Sequence, residues 1–303
     1  MLITHKMADV AACADRVVVM RCGKVVDSAA CAERTLDQLV HQMVGESQEA
    51  DGVPSPAPGG TAAKLVVRKL SAGNAQEIDF GLVEGEILGI AGVAGNGQRA
   101  LAEALAGVLT PSAGDAVLAG TSIVRGGGRE SIDPRVAYIP EQPRENAVAA
   151  ALPITVNLAL RRLRGMPAFP DWAHERSAAQ ALLKRFDVRP PDPRLSAETL
   201  SGGNLQKLVV ARELSRLPEL IIACYPSMGL DVAATHAIHR HLVSFAERGT
   251  CVVWFSEDLD ELMLFAHRIA VMRGGRIVGV LPRHAVSRHE LGRLMAGSME
   301  RAA

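Results

Sequence analysis

The sequence predicts an α/β fold, and three stretches carry that prediction. Glu86-Ile87-Leu88-Gly89-Ile90-Ala91 is a short apolar run of the kind that forms a buried strand. It passes through a glycine turn, Gly92 to Gly97, into a helical segment from Gln98 to Gly107. Leu220-Ile221-Ile222-Ala223-Cys224-Tyr225-Pro226 reads as a second buried strand. Ahead of it, Leu200-Ser201-Gly202-Gly203-Asn204-Leu205-Gln206-Lys207 turns into a helix over 205–216, with Leu205, Leu208 and Val209 at helical spacing. Buried strands alternating with helices form a mostly parallel sheet covered by those helices.

Composition narrows the class. At 303 residues the chain exceeds one ordinary domain and can bury a sizeable core. Lys+Arg and Asp+Glu are both 33, so no net charge steers it towards nucleic acid or anionic lipid. Cys13, Cys22, Cys31, Cys224 and Cys251 are odd in number and lack C-x-x-C spacing, which reads as a reduced, cytosolic protein without a zinc site. No apolar run approaches the roughly 18 residues that a membrane span needs, and Met1 opens no charged-then-apolar leader. Membrane contact is expected through partner proteins.

Taken in order, the chain begins with a repeat. Ile3-Thr4-His5 falls on Phe255-Ser256-Glu257, and Ala14-Asp15-Arg16-Val17 on Ala266-His267-Arg268-Ile269. Val19-Met20-Arg21-Cys22-Gly23-Lys24 falls on Val271-Met272-Arg273-Gly274-Gly275-Arg276, all at one offset of 252 residues. The match continues without a gap to Leu39/Leu291, Met43/Met295 and Gly45/Gly297. A repeat this long predicts duplicated domains rather than a solenoid. Residues 1–46 are therefore expected to be the last fifth of a first copy, two short strands and a helix without the sheet they pack on. A truncated gene, a misplaced start and a deliberate split all remain open.

Residues 47–63, with three prolines and Gly59-Gly60, read as a linker. The second copy occupies 64–303, opening with a strand at Leu65-Val66-Val67. Between about 144 and 200, helices over 154–163 and 173–186 and the break Pro190-Pro191-Asp192-Pro193 predict a helical subdomain. A helix from Asp231 through Phe245, strands over 251–255 and 276–280, and a helix near Leu291 complete the domain.

Two turns carry the chemistry. A helix start has unpaired N–H groups and the positive end of the helix dipole, so the Ser201-Gly202-Gly203 turn is suited to meet an anion. The turn Gly92-Val93-Ala94-Gly95-Asn96-Gly97-Gln98-Arg99 has the glycine spacing of the phosphate loop G-x-x-x-x-G-K-[ST]. There the glycines let backbone N–H groups cradle phosphate, the lysine neutralises it and the hydroxyl holds Mg²⁺. Gln98 and Arg99 stand where lysine and hydroxyl belong, and a guanidinium does not replace a lysine at a tight site. A dinucleotide-binding turn is the competing reading, with poorer glycine spacing.

Leu200 to Lys207 is similar to the signature LSGGN followed by Q-K of the ATPase subunits of ABC importers for sugars and nucleosides. The order of motifs is also similar: Leu220 to Pro226 at Walker B, Gly229-Leu230-Asp231 at the D-loop, and Phe255 to Glu261 at the switch-histidine segment. The resemblance implies a P-loop-type ABC nucleotide-binding domain with a helical subdomain, preceded by the end of another copy. It implies ATP and Mg²⁺ as cofactors, with Ser201, Gly202, Gly203, Asn204, Gln206 and Asp231 facing nucleotide held by a complete partner domain. His5 would be the switch histidine of that partner site. In the chain's own pocket it assigns Gly92, Gly95, Asn96, Gly97, Gln98 and Arg99, with no metal ligand. The chain departs from the family's pattern at several positions: Cys224 and Tyr225 replace the Walker B Asp-Glu pair, and Glu257 replaces the switch histidine. At the Q-loop Glu141 stands where glutamine is usual, unless Gln142 is the equivalent. The chain alone is thus expected to bind nucleotide poorly and hydrolyse none.

The resemblance also implies permease subunits, an external substrate-binding protein and a place on the cytoplasmic membrane face. No nucleic acid is expected. Two alternatives stand beside it. A soluble ABC protein acting on nucleic acid or ribosomes predicts basic insertions, and none appear. A non-catalytic module or gene remnant predicts no activity with any partner.

Overall fold

The computed structural model describes residues 62–124 and 133–296, and in the N-terminal segment residues 10, 13–21, 24–35, 38, 39 and 42. The core is a six-stranded sheet in the order β12-β11-β5-β10-β9-β8. Its strands are β5 (Ile87–Ala91), β8 (Val136–Ile139), β9 (Leu220–Cys224), β10 (Cys251–Phe255), β11 (Arg268–Arg273) and β12 (Arg276–Pro282). The pairs among β8, β9, β10, β5 and β11 are parallel, and β12 closes one edge antiparallel to β11. Every residue of β5, β9 and β10 is buried, as expected for short apolar runs covered on both faces. Alternate residues divide between two cores: Trp254 and Ile221 face one, Phe255 and Ile222 the other.

One face is covered by α5 (Gly202–Leu214), α6 (Val232–Ala246), α7 (Leu259–Phe265) and the C-terminal α8 (Arg288–Ala296). The other carries α1 (Gln98–Leu105) and a four-stranded antiparallel sheet ordered β4-β3-β6-β7. That sheet comprises β3 (Ala63–Ala72), β4 (Ala75–Val83), β6 (Ala113–Leu118) and β7 (Thr121–Ser122). The sequence reading placed only a short strand at 65–67 here. The helical region holds a short α2 (Pro143–Asn146), α3 (Ile154–Ala159) and α4 (Trp172–Arg185), α3 ending four residues before the 163 expected.

The N-terminal strands β1 (Arg16–Arg21) and β2 (Lys24–Ala30) form a separate two-stranded sheet. Their pairing reproduces that of β11 and β12 position by position at the 252-residue offset. Arg16 pairs with Ala30 as Arg268 pairs with Pro282, and the register breaks between Val19 and Met20 as it does between Val271 and Met272. Flanking bonds match too. Cys31 N donates to Asp15 O at 2.9 Å and Arg283 N to His267 O at 3.0 Å, while Gln38 N and Glu290 N each donate to a hydroxyl at 3.2 Å. Leu39 and Leu291 are both fully buried.

The two hairpins differ in what covers them. Ala270 and Met272 are 0 % exposed, whereas their counterparts Val18 and Met20 are 55 % and 62 % exposed. Strand β11 lies between β12 and β5; β1, among the described residues, pairs only with β2.

Candidate functional site

The glycine turn leaves the end of the central strand β5, where the topology puts it beside the ends of β9 and β10. Gly97, at φ 100°, leads into α1 in a conformation that favours glycine. Side chains stitch the turn to its neighbours. Asn74, in the β3–β4 turn, donates to Gly95 O at 2.8 Å, and Gly274 N, in the β11–β12 turn, donates to Asn96 Oδ1 at 2.8 Å. Gln98 is buried; its Nε2 donates to Val93 O at 3.0 Å and fills the space a side chain at Gly92 would need. Gln98 therefore lies beneath the turn. Arg99 is exposed and pairs with Glu103 at 2.8 Å.

Asn74, Gly95, Gly97, Gln98, Arg99 and Glu103 line a cavity of about 360 Å³ together with Glu141, Tyr225 and Glu257. Three carboxylates thus face one guanidinium that is already paired, and no lysine, serine or threonine is in the lining. Of the two residues at the expected Q-loop, Glu141 lines the cavity and Gln142 sits exposed ahead of α2. Burial pushes the Cys224 thiol up to about 12, so it stays protonated and neutral at the end of β9. Burial likewise pushes the Tyr225 phenol up. A protonated thiol and a phenol are poor partners for a hard cation, which takes charged and carbonyl oxygens. Among the described residues no three His, Cys, Asp or Glu side chains are grouped to hold a metal ion. The donor set in this pocket does not fit Mg²⁺ with a triphosphate.

The signature turn is built differently. Ser201 caps α5, its hydroxyl accepting from Asn204 N at 3.4 Å and Asn204 Nδ2 at 3.0 Å. Asn204 Oδ1 in turn accepts from Arg189 N at 2.7 Å. Ser201 and Gly202 are exposed, and nothing lies within 4 Å of a side chain built at Gly202. Gly203 faces Leu230, so the signature and D-loop turns are neighbours. Asp231 is exposed and caps α6, accepting from Ala234 N at 2.7 Å. Gln206, expected at the nucleotide face, is instead buried and donates to Pro226 O at 3.1 Å. It ties the signature helix to the segment before the D-loop. His5 lies outside the described residues.

Behind the D-loop sits a group the sequence did not reveal. Glu261 on α7 is buried, its Oε1 2.5 Å from His239 Nε2 on α6 and 2.6 Å from Ser227 Oγ. Burial pushes the Glu261 carboxyl up, but His239 and the Ser227 and Ser256 hydroxyls more than offset this and leave it below the ordinary range. The one signal in the sequence is its four-residue spacing from Phe265, which puts the two on one face of α7.

A family profile described as "ABC transporter" matches residues 75–226, half of the chain. The chain belongs to the ABC transporter family. Among curated proteins it is 33 % identical to the nucleoside import ATP-binding protein NupA of Lactococcus lactis, over 98 % of this chain and 60 % of that protein. It is 36 % identical to the glucose import ATP-binding protein TsgD13 of Haloferax volcanii, over 97 % and 56 %. The guanosine import ATP-binding protein NupO of Bacillus subtilis is 33 % identical, over 95 % and 58 %. The chain thus spans little more than half the length of these relatives. In fold it is similar to a solved ATP-binding subunit of an ABC transporter, at TM-score 0.64 and 21 % identity over 77 % of this chain and 99 % of that one. It is also similar to the dimeric ABC cassette MJ0796, at TM-score 0.63 and 18 % identity over 73 % and 100 %. The ABC nucleotide-binding fold expected from the sequence is the fold observed.

Proposed function

We propose that the chain is part of the ATP-binding component of an importer for a simple sugar or nucleoside, and that it supplies the signature half of an ATP site completed by another nucleotide-binding domain. One contrast carries this reading: the signature turn is capped, open and rich in donors, while the chain's own phosphate turn is filled by Gln98 and ringed with carboxylates. The names of the relatives, which describe nucleoside, glucose and guanosine import, support the substrate class.

In this reading the Ser201 hydroxyl and the first-turn N–H groups of α5 present hydrogen-bond donors to the terminal phosphate. Gly202 and Gly203 permit close approach, and Asp231 approaches the same nucleotide from the D-loop. The bound nucleotide supplies the phosphoryl chemistry; Mg²⁺ and most of the ATP are held by the partner domain. His5 belongs to that partner site. Gly92, Gly95, Asn96, Gly97, Gln98 and Arg99 keep the shape of a phosphate cradle with little affinity for nucleotide. Residues 1–46 are the end of a preceding copy, 47–63 a linker, and 64–303 the second domain with its helical subdomain near 144–200. The matched hairpin registers favour this division. No helix among the described residues is long and apolar enough to cross a membrane. Permease subunits would hold the assembly at the cytoplasmic face, and an external binding protein would deliver substrate.

The test is MgATP turnover by the purified chain, alone and mixed with a nucleotide-binding domain carrying a lysine-bearing phosphate loop. Turnover is expected only in the mixture. An ordinary enzymatic rate from the chain alone would overturn the reading. No turnover in either case would favour a non-catalytic module.

A further inference from the structure

The pair Ser201 and Asn204 is wired so that one proton has a fixed direction. The Arg189 backbone N–H can only donate, so the Asn204 side-chain atom 2.7 Å away is the carbonyl oxygen and the other end is the NH₂. That NH₂ donates to Ser201 Oγ at 3.0 Å, and Asn204 N approaches the same oxygen at 3.4 Å. A hydroxyl has two acceptor lone pairs and one hydrogen. With both acceptor positions turned towards the helix, the Ser201 hydrogen is left to point outward, across the open surface beside Gly202.

The segment that holds Asn204 is itself anchored. Phe186 and Val188 are buried, and Asp187 accepts from Arg189 Nε at 2.7 Å and from Lys207 Nζ at 3.0 Å. Lys207 Nζ also donates to Asp187 O at 3.0 Å, so the one lysine of the signature is committed to this segment rather than to a ligand. The donors left at the turn are the Ser201 hydroxyl and backbone N–H groups.

We propose that Asn204 is a positioning residue that acts through Ser201: its amide, clamped by Arg189, sets the Ser201 hydroxyl as a donor to a phosphate oxygen. This rests on the reading that the signature turn meets the terminal phosphate, and it deepens it. A purely structural Asn204 would only hold residues 187–190 against the helix. The two roles separate on one near-isosteric change. N204D keeps an oxygen for Arg189 N–H, and a carboxylate in the first turn of a helix is favourable. The atom facing Ser201 then becomes an acceptor, and the hydroxyl turns inward to donate to it.

The experiment uses the full chain mixed with a lysine-bearing nucleotide-binding domain, reading MgATP turnover and the melting temperature of the chain. N204D is expected to melt no lower than the parent while turnover falls about tenfold or more, the loss of one charge-assisted hydrogen bond. S201A should lose about as much. In the S201A background N204D should then cost no more than about twofold, because residues acting through one contact are not additive. Equal losses in both backgrounds would mean that the new charge acts by itself; that overturns the proposal and leaves the proposed function standing. Parental turnover in N204D has the same consequence. Parental turnover in S201A, or no turnover in the parental mixture, overturns both.

Discussion

Replacing His239 by phenylalanine isolates the buried carboxylate behind the D-loop. Glu261 is 8 % exposed, and its Oε1 takes both His239 Nε2 at 2.5 Å and Ser227 Oγ at 2.6 Å. H239F takes one hydrogen-bond donor from that oxygen and leaves the buried carboxylate to serine hydroxyls, and removing a partner of a buried charged acceptor costs about 3 kcal/mol or more. A phenyl ring should keep the packing of His239 against Trp254 and Phe265, whose centroids lie 5.1 and 4.6 Å from the imidazole. The lower end, roughly 3 kcal/mol, is therefore expected. For a domain of this size that is a fall of about 6–12 °C in melting temperature. Denaturant unfolding at pH 7.5 measures it as a shift in midpoint with an unchanged slope. The pH dependence supplies a second check. Glu261 titrates below its ordinary value in the fold. Its contribution is thus complete above the unfolded carboxyl range and lost as pH falls through the folded value. In H239F burial is offset by the serine hydroxyls alone, so the carboxyl takes up its proton at higher pH and the penalty is relieved. The gap between parent and variant should narrow from pH 7.5 towards 5. A loss under about 1 kcal/mol, or a gap that stays constant over this range, would refute the argument. The double variant H239F/E261L should recover much of the loss, since a paired apolar replacement leaves no buried charge.

Three further outcomes are expected. D231A removes the cap of α6 and should cost about 1 kcal/mol, read by the same unfolding titration. M272K, at a fully buried position, should cost more than about 3 kcal/mol, whereas M20K, at the matching position of the exposed hairpin, should stay within roughly 0.5 kcal/mol. His241 is pushed down to about 4 by burial, aided by Arg185, Arg240 and Arg248, and so stays neutral where the unfolded chain is charged. Because its folded value is depressed, stability should be complete above about pH 6.5 and fall as pH drops towards 4; H241F should flatten that slope in melts across pH 5–8.

The parts of the fold that repeat or run apolar were legible in the sequence. The five-residue buried strands β5, β9 and β10 stand out because both faces are covered, and the repeat set the pairing of β1 with β2 once β11 and β12 were known. The four-stranded sheet was harder to read. Strand β4 does alternate, with Ile78, Phe80 and Leu82 inward, but β6 has the weak composition Ala113-Gly114-Asp115-Ala116-Val117-Leu118, and only its pairing with β3 makes it a strand. At the site, motif spacing located the turns but not the directions of their amides. Whether Gln98 points under the loop, Gln206 inward, or Asn204 towards Ser201 depends on Val93, Pro226 and Arg189. Two of these acceptors or donors are 20 and 15 residues away along the chain, and all three are backbone groups that leave no mark in the sequence.

The uncovered N-terminal hairpin has a practical consequence. Val18, Met20, Val25 and Val26 are all exposed, beside a β1 edge that pairs with no second strand among the described residues. Apolar side chains next to unpaired backbone groups make a template for strand addition between molecules. Preparations of the isolated polypeptide should grow turbid with rising concentration, and lysines on that strip should clear them without disturbing the larger domain.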